Sequence, residues 1–359
     1  MSKFLHFPNL NALRAIAALL VLIHHAEQFK DVFKLDNYWN IPFIQVIGKL
    51  GVVLFFVLSG FLITYLLVNE EKLTKKKINV KSFYIRRILR IWPLYYLIIF
   101  LSYFIFPYLD ILSVDNISTE ILSIKTFLLY IFMLPNMVLS NFGVVPYASQ
   151  AWSIGTEEQF YLIWPLLFIL FRKNKMLLML SVIIGYIGVK YYLTINPKNP
   201  FGINLLAFWN TFNIDCMAIG GLTAILSFRN SKILKYVNNN YVFYLIALIV
   251  ILLMIFGVNF GFFHYEIYAI LFAIIILNLA TNKALATILE NKIFNYLGGI
   301  SYGIYMYHSI AIVIAIKLSM NFNIGLIIYP IAILLTIFFS HVSYKYLEKP
   351  FLKLKNKFS

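Results

Sequence analysis

The sequence predicts an all-α fold, a polytopic transmembrane helical bundle with about 10 crossings plus one re-entrant or surface-lying segment. Three observations predict it. Hydrophobic residues make up 62% of the 359 and charged residues only 12%, and the mean hydropathy is +0.83. Apolar stretches long enough for the ~20 residues of a spanning helix recur from one end of the chain to the other. The connections between them collect lysine and arginine, as cytoplasmic loops do. Those connections account for the net charge of +16, so no nucleic-acid partner is expected.

The hydrophobic segments fall near 8–29, 43–68, 88–109, 126–140, 152–171, 176–194, 205–228, 241–258, 262–280, 296–318 and 325–346. The first follows a short, weakly basic start without a small-residue cleavage site, so it is expected to be retained as a helix. The longest polar break, "NEEKLTKKKINVKSFYIRR" at 69–87, is the richest in Lys and Arg. Placing it in the cytoplasm puts the N-terminus inside and the 30–42 loop outside. "RKNK" (172–175), "RNSKILK" (229–235) and "KLKNK" (353–357) join it there only if one segment between 109 and 151 fails to cross. The segment 126–140 is short and carries "LPN" at Leu134 to Asn136, so it is the one expected to re-enter, shielded by protein. Both termini are then cytoplasmic; the Lys-, Asn- and Ile-rich composition fits an AT-rich bacterial genome, so a bacterial cytoplasmic (inner) membrane is the expected location. Residues 1–359 read as a single integral-membrane domain without linker or repeat.

The chemistry-bearing residues lie inside these segments. "NALRAIAALLVLIHHAEQF" carries Arg14 near one end and His24 and His25 near the other. Arg14 and His25 are eleven residues apart, which is three helical turns plus about 20°, so they share a face about 16 Å apart along the axis. His24 falls about 100° away. The plainer reading is an arginine that snorkels and histidines at the interface. In "FYIRRILRIWPLYY", Arg87 and Arg90 share a face and Arg86 points elsewhere. Such forks suit phosphate oxygens, although a positive anchor beside an aromatic belt has the same pattern. "SQAWSIGTEEQFYLIWPLL" holds Glu157 and Glu158 in an apolar helix. Carboxylates there need a partner, and a histidine or an arginine would serve.

Weaker signals are Ser59-Gly60, where close packing competes with catalysis, and Asp215, which either pairs with an arginine or caps a break. His308 is a second site histidine or an interfacial one, and Glu348 is a candidate partner for a cytoplasmic arginine. His6, His264 and His341 suggest nothing by spacing. The single cysteine, Cys216, excludes an internal disulfide, and no histidine pair has metal-ligand spacing, so no metal is expected.

Taken in order, Arg14 with His25, "GVVLFFVLSGFLIT", Arg87-x-x-Arg90, "WSIGTEEQFYLIWP", "NIDCMAIGGL", "ISYGIYMYH" and "SYKYLEKPF" resemble the acyltransferase 3 family of integral membrane acyltransferases. The resemblance covers nearly the whole chain. It departs at Val53, where many members are acidic, and at Asn213, where many have arginine. It implies an acetyl-CoA-dependent O-acetyltransferase with no permanently bound cofactor, in which Arg14 and His25 are essential and Arg87 and Arg90 help hold acyl-CoA. A stand-alone member is expected, without the SGNH-type esterase domain that some members append.

Position then suggests a mechanism. His25 is the expected general base. Glu157 or Glu158, with a slight preference for Glu158, is expected to orient it. Ser59, Tyr302 and His308 are candidate oxyanion or acceptor contacts. The expected acceptor is a hydroxyl of a cell-envelope or extracellular polysaccharide, or of its lipid-linked precursor. Envelope-polysaccharide assembly proteins are candidate partners. The alternative is a proton-coupled transporter or flippase that uses His25 and Glu158 as a relay.

Overall fold

The computed structural model describes residues 7, 9–73, 78–112, 120–196, 200–229, 232–320 and 325–355. His6 and parts of the basic stretches at 69–87, 229–235 and 353–357 lie outside the described residues. Among the described residues the chain is helical, with no strand. Its helices are α1 (Leu10–Val32), α2 (Pro42–Leu73), α3 (Val80–Phe104), α4 (Ile124–Ile131), α5 (Pro135–Asn141), α6 (Ala151–Leu170), α7 (Lys175–Ile195) and α8 (Pro200–Phe212). They continue as α9 (Ile214–Phe228), α10 (Lys232–Val237), α11 (Asn240–Ile255), α12 (His264–Thr281), α13 (Lys292–Gly299), α14 (Ser301–Ser319), α15 (Ile328–Ser343) and α16 (Lys349–Lys355).

Eight of the described helical stretches are long and apolar enough to cross a membrane. The 20-residue α6 and the 16-residue α11 occupy the other two expected positions. The protein is a multi-pass membrane bundle. Three expected segments are not continuous helices. The chain breaks at Asn213 between α8 and α9 and at Ile300 between α13 and α14, and α15 passes through a π-helical turn, Tyr344–Glu348, into α16.

The segment expected near 126–140 is re-entrant in form. Its helices have only 8 and 7 residues, or roughly 12 and 10 Å of rise, against a hydrocarbon core of about 30 Å. They meet where Met133 takes a positive φ of 58° and Pro135 opens α5. The Tyr147 hydroxyl donates to the Leu112 carbonyl at 2.8 Å, so both ends of the excursion lie at one end of the bundle. Tyr95 and Tyr96 on α3 hold the tip by donating to the carbonyls of Tyr130 and Ile131 at 2.9 and 3.0 Å. Gln159 on α6 donates to the Met133 carbonyl at 2.8 Å and exchanges contacts with Asn136. Protein groups thus satisfy the irregular backbone, as membrane depth requires.

Small residues set the closest helix approaches. A Cβ on Gly60 would lie 1.9 Å from the Met217 carbonyl oxygen, and one on Gly220 would lie 2.1 Å from that of Val57, so α2 and α9 touch backbone to backbone. Gly298 seats α13 on α1 in the same way, 2.1 Å from the Asn11 carbonyl oxygen.

Two clusters of charged groups mark the ends of the bundle. Glu70 and Glu71 at the end of α2 receive Arg86 at 3.6 Å, Arg172 at 3.3 Å and Lys175. Arg229 lies beside Met176 at 3.5 Å. The described parts of three basic connections therefore gather at one end. At the other end, buried Glu27 accepts from Lys30, the Tyr329 hydroxyl and the Tyr38 backbone N–H, tying down the 30–42 loop.

Candidate active site

Helices α1, α2, α3, α6 and α14 enclose a chamber with about 740 Å³ of space, mouth included. Arg14, Arg87 and Arg90 all line it. The x-x spacing brings Arg87 and Arg90 to one wall, and Arg86 turns away to Glu70, as the helical face predicts. Arg14 Nη1 donates to Asn11 Oδ1 at 3.3 Å. The Arg87 guanidinium lies 5.5 Å from the Tyr161 ring and 5.6 Å from that of Phe83, and its buried Nε has no hydrogen-bond partner. Leaving such a donor unmet costs about 1–3 kcal/mol. Three guanidinium groups against one carboxylate, Glu157, give this chamber an excess of positive charge. It suits a multiply anionic ligand.

Glu157 belongs to this chamber. Its Oε1 accepts from Ser59 Oγ at 2.9 Å, and the Tyr161 hydroxyl lies 2.9 Å from its Oε2 and 3.0 Å from Ser59 Oγ. Tyr302 lines the same chamber, but its hydroxyl donates to the Ile91 carbonyl at 2.8 Å. Glu158 turns towards α3, where its Oε2 accepts from Trp92 Nε1 at 2.9 Å and its Oε1 is buried without a partner.

His25 lines a second chamber with about 1120 Å³ of space, mouth included, and His308, Gln28, Ser149, Gln150 and Trp152 are in its walls. His25 Nδ1 is 2.9 Å from the Val21 carbonyl oxygen, and His308 Nδ1 is 2.6 Å from that of Tyr305. A carbonyl only accepts, so each Nδ1 carries the hydrogen and each Nε2 keeps a lone pair. The two rings lie 4.8 Å apart, centroid to centroid. His308 is 1% exposed and its Nε2 has no hydrogen-bond partner.

Several sequence expectations are corrected here. Neither Glu157 nor Glu158 bonds to His25; the Val21 carbonyl sets the tautomer instead. The reason is depth along α6. Trp152, near its start, lines the histidine chamber, whereas Glu157 lies more than a turn further on, in the arginine chamber. Ser59 and Tyr302 also face the arginine chamber, with their hydroxyls committed to Glu157 and Ile91. With its Nδ1–H held by Tyr305, neutral His308 offers an acceptor and not an oxyanion donor.

His24 lies off the Arg14–His25 face, as expected. Its Nδ1 is 2.7 Å from the Ile44 carbonyl oxygen, and its ring packs against Trp39 and Gly48. Asp215 follows the break at Asn213 and is fully buried, with both carboxylate oxygens unpartnered, while Lys190 pairs with Glu266 nearby on the α9 side at 2.7 Å. Glu348 accepts from Ser343 Oγ at 3.2 Å rather than from an arginine. His264 accepts from the Phe260 N–H at 3.3 Å, and His341 bonds the Tyr296 hydroxyl at 2.7 Å. Val53 is buried, and Asn213 donates to the Tyr186 hydroxyl at 3.3 Å.

Sequence reasoning missed Tyr161, Gln150, Ser153 and Tyr305. Tyr161 is four residues past Glu157, and Tyr305 is three before His308, so helical spacing placed each beside a residue already singled out.

A sequence profile of the acyltransferase 3 family, described as an acyltransferase domain, matches residues 7–345. The peptidoglycan O-acetyltransferase OatA of Listeria monocytogenes is 34% identical over 191 residues, covering 50% of this chain and 27% of that protein. The O-acetyltransferase OatA of Staphylococcus aureus (strain NCTC 8325) is 27% identical over 365 residues, covering 97% of this chain and 57% of that protein. The chain thus spans less than two thirds of the length of these curated relatives. No solved structure matches. With its profile match running over nearly the whole chain, the protein belongs to the acyltransferase 3 family.

Proposed function

We propose that this protein is a membrane O-acetyltransferase that moves an acetyl group from cytoplasmic acetyl-CoA to a hydroxyl of a cell-envelope or extracellular polysaccharide, or of its lipid-linked precursor. The observation that carries the reading is the pairing of the two chambers. Three arginines line one, and two imidazoles with free Nε2 lone pairs line the other, with Arg14 and His25 on one helix. The OatA relatives, named as O-acetyltransferases, favour an acetyl group and an envelope glycan. Gathering of the basic connections at the Arg14 end favours a cytoplasmic mouth for that chamber, in the bacterial cytoplasmic membrane, with both chain termini on that side.

In this reading the arginines hold the phosphates of acyl-CoA. Glu157 offsets part of their charge and fixes Ser59 and Tyr161 against the chamber wall. The pantetheine arm carries the thioester towards His25. His25 Nε2 removes the acceptor hydroxyl proton as that oxygen bonds to the thioester carbon. The tetrahedral adduct collapses, the carbon–sulfur bond breaks, and the imidazolium returns its proton to the thiolate. The Val21 carbonyl does the orienting that a carboxylate does in a Ser-His-Asp triad. His308 Nε2 accepts a hydrogen bond from a second, neighbouring hydroxyl of the glycan and so holds the reacting hydroxyl beside His25. Acetyl-CoA is a substrate here, and no resident cofactor is required. Envelope-polysaccharide assembly proteins are the partners that would deliver or receive the glycan.

Equilibrium binding tests the donor half. Purified protein in nanodiscs should bind acetyl-CoA, Arg90→Ala should weaken binding at least tenfold, and His25→Ala should bind as the wild type does. Absence of binding by the wild type contradicts the reading and favours a transporter.

A further inference from the structure

Between the two chambers the wall is one helical turn thick on each of two helices. On α6, Ser153 faces the arginine chamber, while Gln150, just before the helix, and Trp152 face the histidine chamber. On α14, Tyr305 faces the arginine chamber, and His308 faces the histidine chamber. Residues at i and i+3 are only about 4.5 Å apart along a helix axis.

The wall is closed by a small set of buried hydrogen bonds. The Tyr305 hydroxyl donates to the Gln150 carbonyl at 2.9 Å and lies 2.8 Å from Ser153 Oγ. The Gln150 side chain donates back across the same seam, to the Met306 carbonyl at 2.9 Å and to the Tyr147 carbonyl at 2.7 Å. Phe55 on α2 stands edge-on to the Tyr305 ring at 5.9 Å between centroids. Tyr305 also reaches the second chamber through its backbone, because its carbonyl holds His308 Nδ1.

We propose that the Tyr305 side chain is the movable partition between the donor and acceptor chambers, held shut by Ser153 and Gln150, and that the thioester reaches His25 only when this side chain swings aside. The proposal rests on the two-chamber reading of the reaction above. Its chemistry explains why a phenol stands there. Acyl-CoA in an open passage meets water from the far side and is lost to hydrolysis. A ring closes the passage, and a single hydroxyl with two partners fixes the ring without a covalent or ionic tie. The latch is therefore selective for transfer over hydrolysis, and Tyr305 acts as a positioning residue, not as a base or nucleophile.

Side-specific labelling tests this without knowledge of the acceptor. Cys216 is the chain's single cysteine and is buried, so Ser59→Cys would provide one reporter thiol at the wall of the arginine chamber. In vesicles of defined orientation, a small membrane-impermeant thiosulfonate should modify this reporter from the arginine-chamber face only. Adding Tyr305→Ala should raise labelling from the opposite face at least tenfold, and Tyr305→Phe, which keeps the ring and loses the hydroxyl, should raise it several-fold. Opposite-face labelling that is unchanged in both variants, with arginine-face labelling retained as the sign of a folded chamber, overturns the partition. Labelling from both faces before any change at Tyr305 also overturns it. Acetyl-CoA added at the arginine face should protect the reporter; a failure to protect, with the Tyr305 response intact, counts against the donor reading and leaves the partition standing.

Discussion

His25 and His308 offer the same chemical face: a backbone carbonyl holds each Nδ1–H, and each Nε2 keeps its lone pair. Their neighbour His24 has the same tautomer but a different setting, seated against Gly48 and Trp39 with its Nδ1 on Ile44. His24→Ala should therefore lower stability by about 1–3 kcal/mol, read as a lower midpoint of thermal inactivation, while activity per folded molecule stays close to wild type. A loss of turnover equal to that of His25→Ala would mean that all three rings act as one unit. Arg14 separates two readings in the same way. Arg14→Lys keeps the charge and loses the planar fork, so acetyl-CoA affinity should fall at least tenfold. An unchanged affinity would make Arg14 a snorkelling anchor. The shared face of Arg14 and His25 was legible in their spacing, because α1 is unbroken from Leu10 to Val32. The partner of His25 was not, because two glutamates in a helix say nothing of their depth against a neighbouring helix.

At the scale of elements, α2 and α9 are joined through Gly60 and Gly220. Gly60→Ala puts a methyl carbon into the Met217 carbonyl, and relieving that contact must push the helices apart. A cost of about 1–3 kcal/mol is expected, measured as reduced yield of folded protein and a lower inactivation midpoint, with acetyl-CoA affinity of the surviving fraction little changed. A fully stable Gly60→Ala protein would contradict the close approach. The re-entrant excursion of α4 and α5 was legible because "LPN" interrupts a stretch already too short to span, and the basic connections leave no room for another crossing. The break at Asn213 was legible only as one of two readings of Asp215, and the break at Ile300 was not singled out. Polar residues at 210–215 and Gly298-Gly299 mark the two places, but apolar stretches resume on both sides of each, so an average over a spanning length does not separate them. Only packing against other helices fixes where these helices stop.

For the molecule as a whole, composition alone marked a membrane bundle, since an excess of apolar residues needs no knowledge of contacts. Arrangement of the site required the fold. Arginines from α1 and α3 meet a carboxylate from α6 in one chamber, and histidines from α1 and α14 meet in another. The central claim is that these chambers serve one reaction, donor in the first and base in the second. Acetyl-CoA turnover by purified protein in nanodiscs, followed as free thiol, tests it most directly, with wild type measured beside His25→Ala and His24→Ala. Slow thiol release by wild type and by His24→Ala, reduced at least ~10²-fold in His25→Ala, is the predicted result. Equal release by wild type and His25→Ala would contradict the claim.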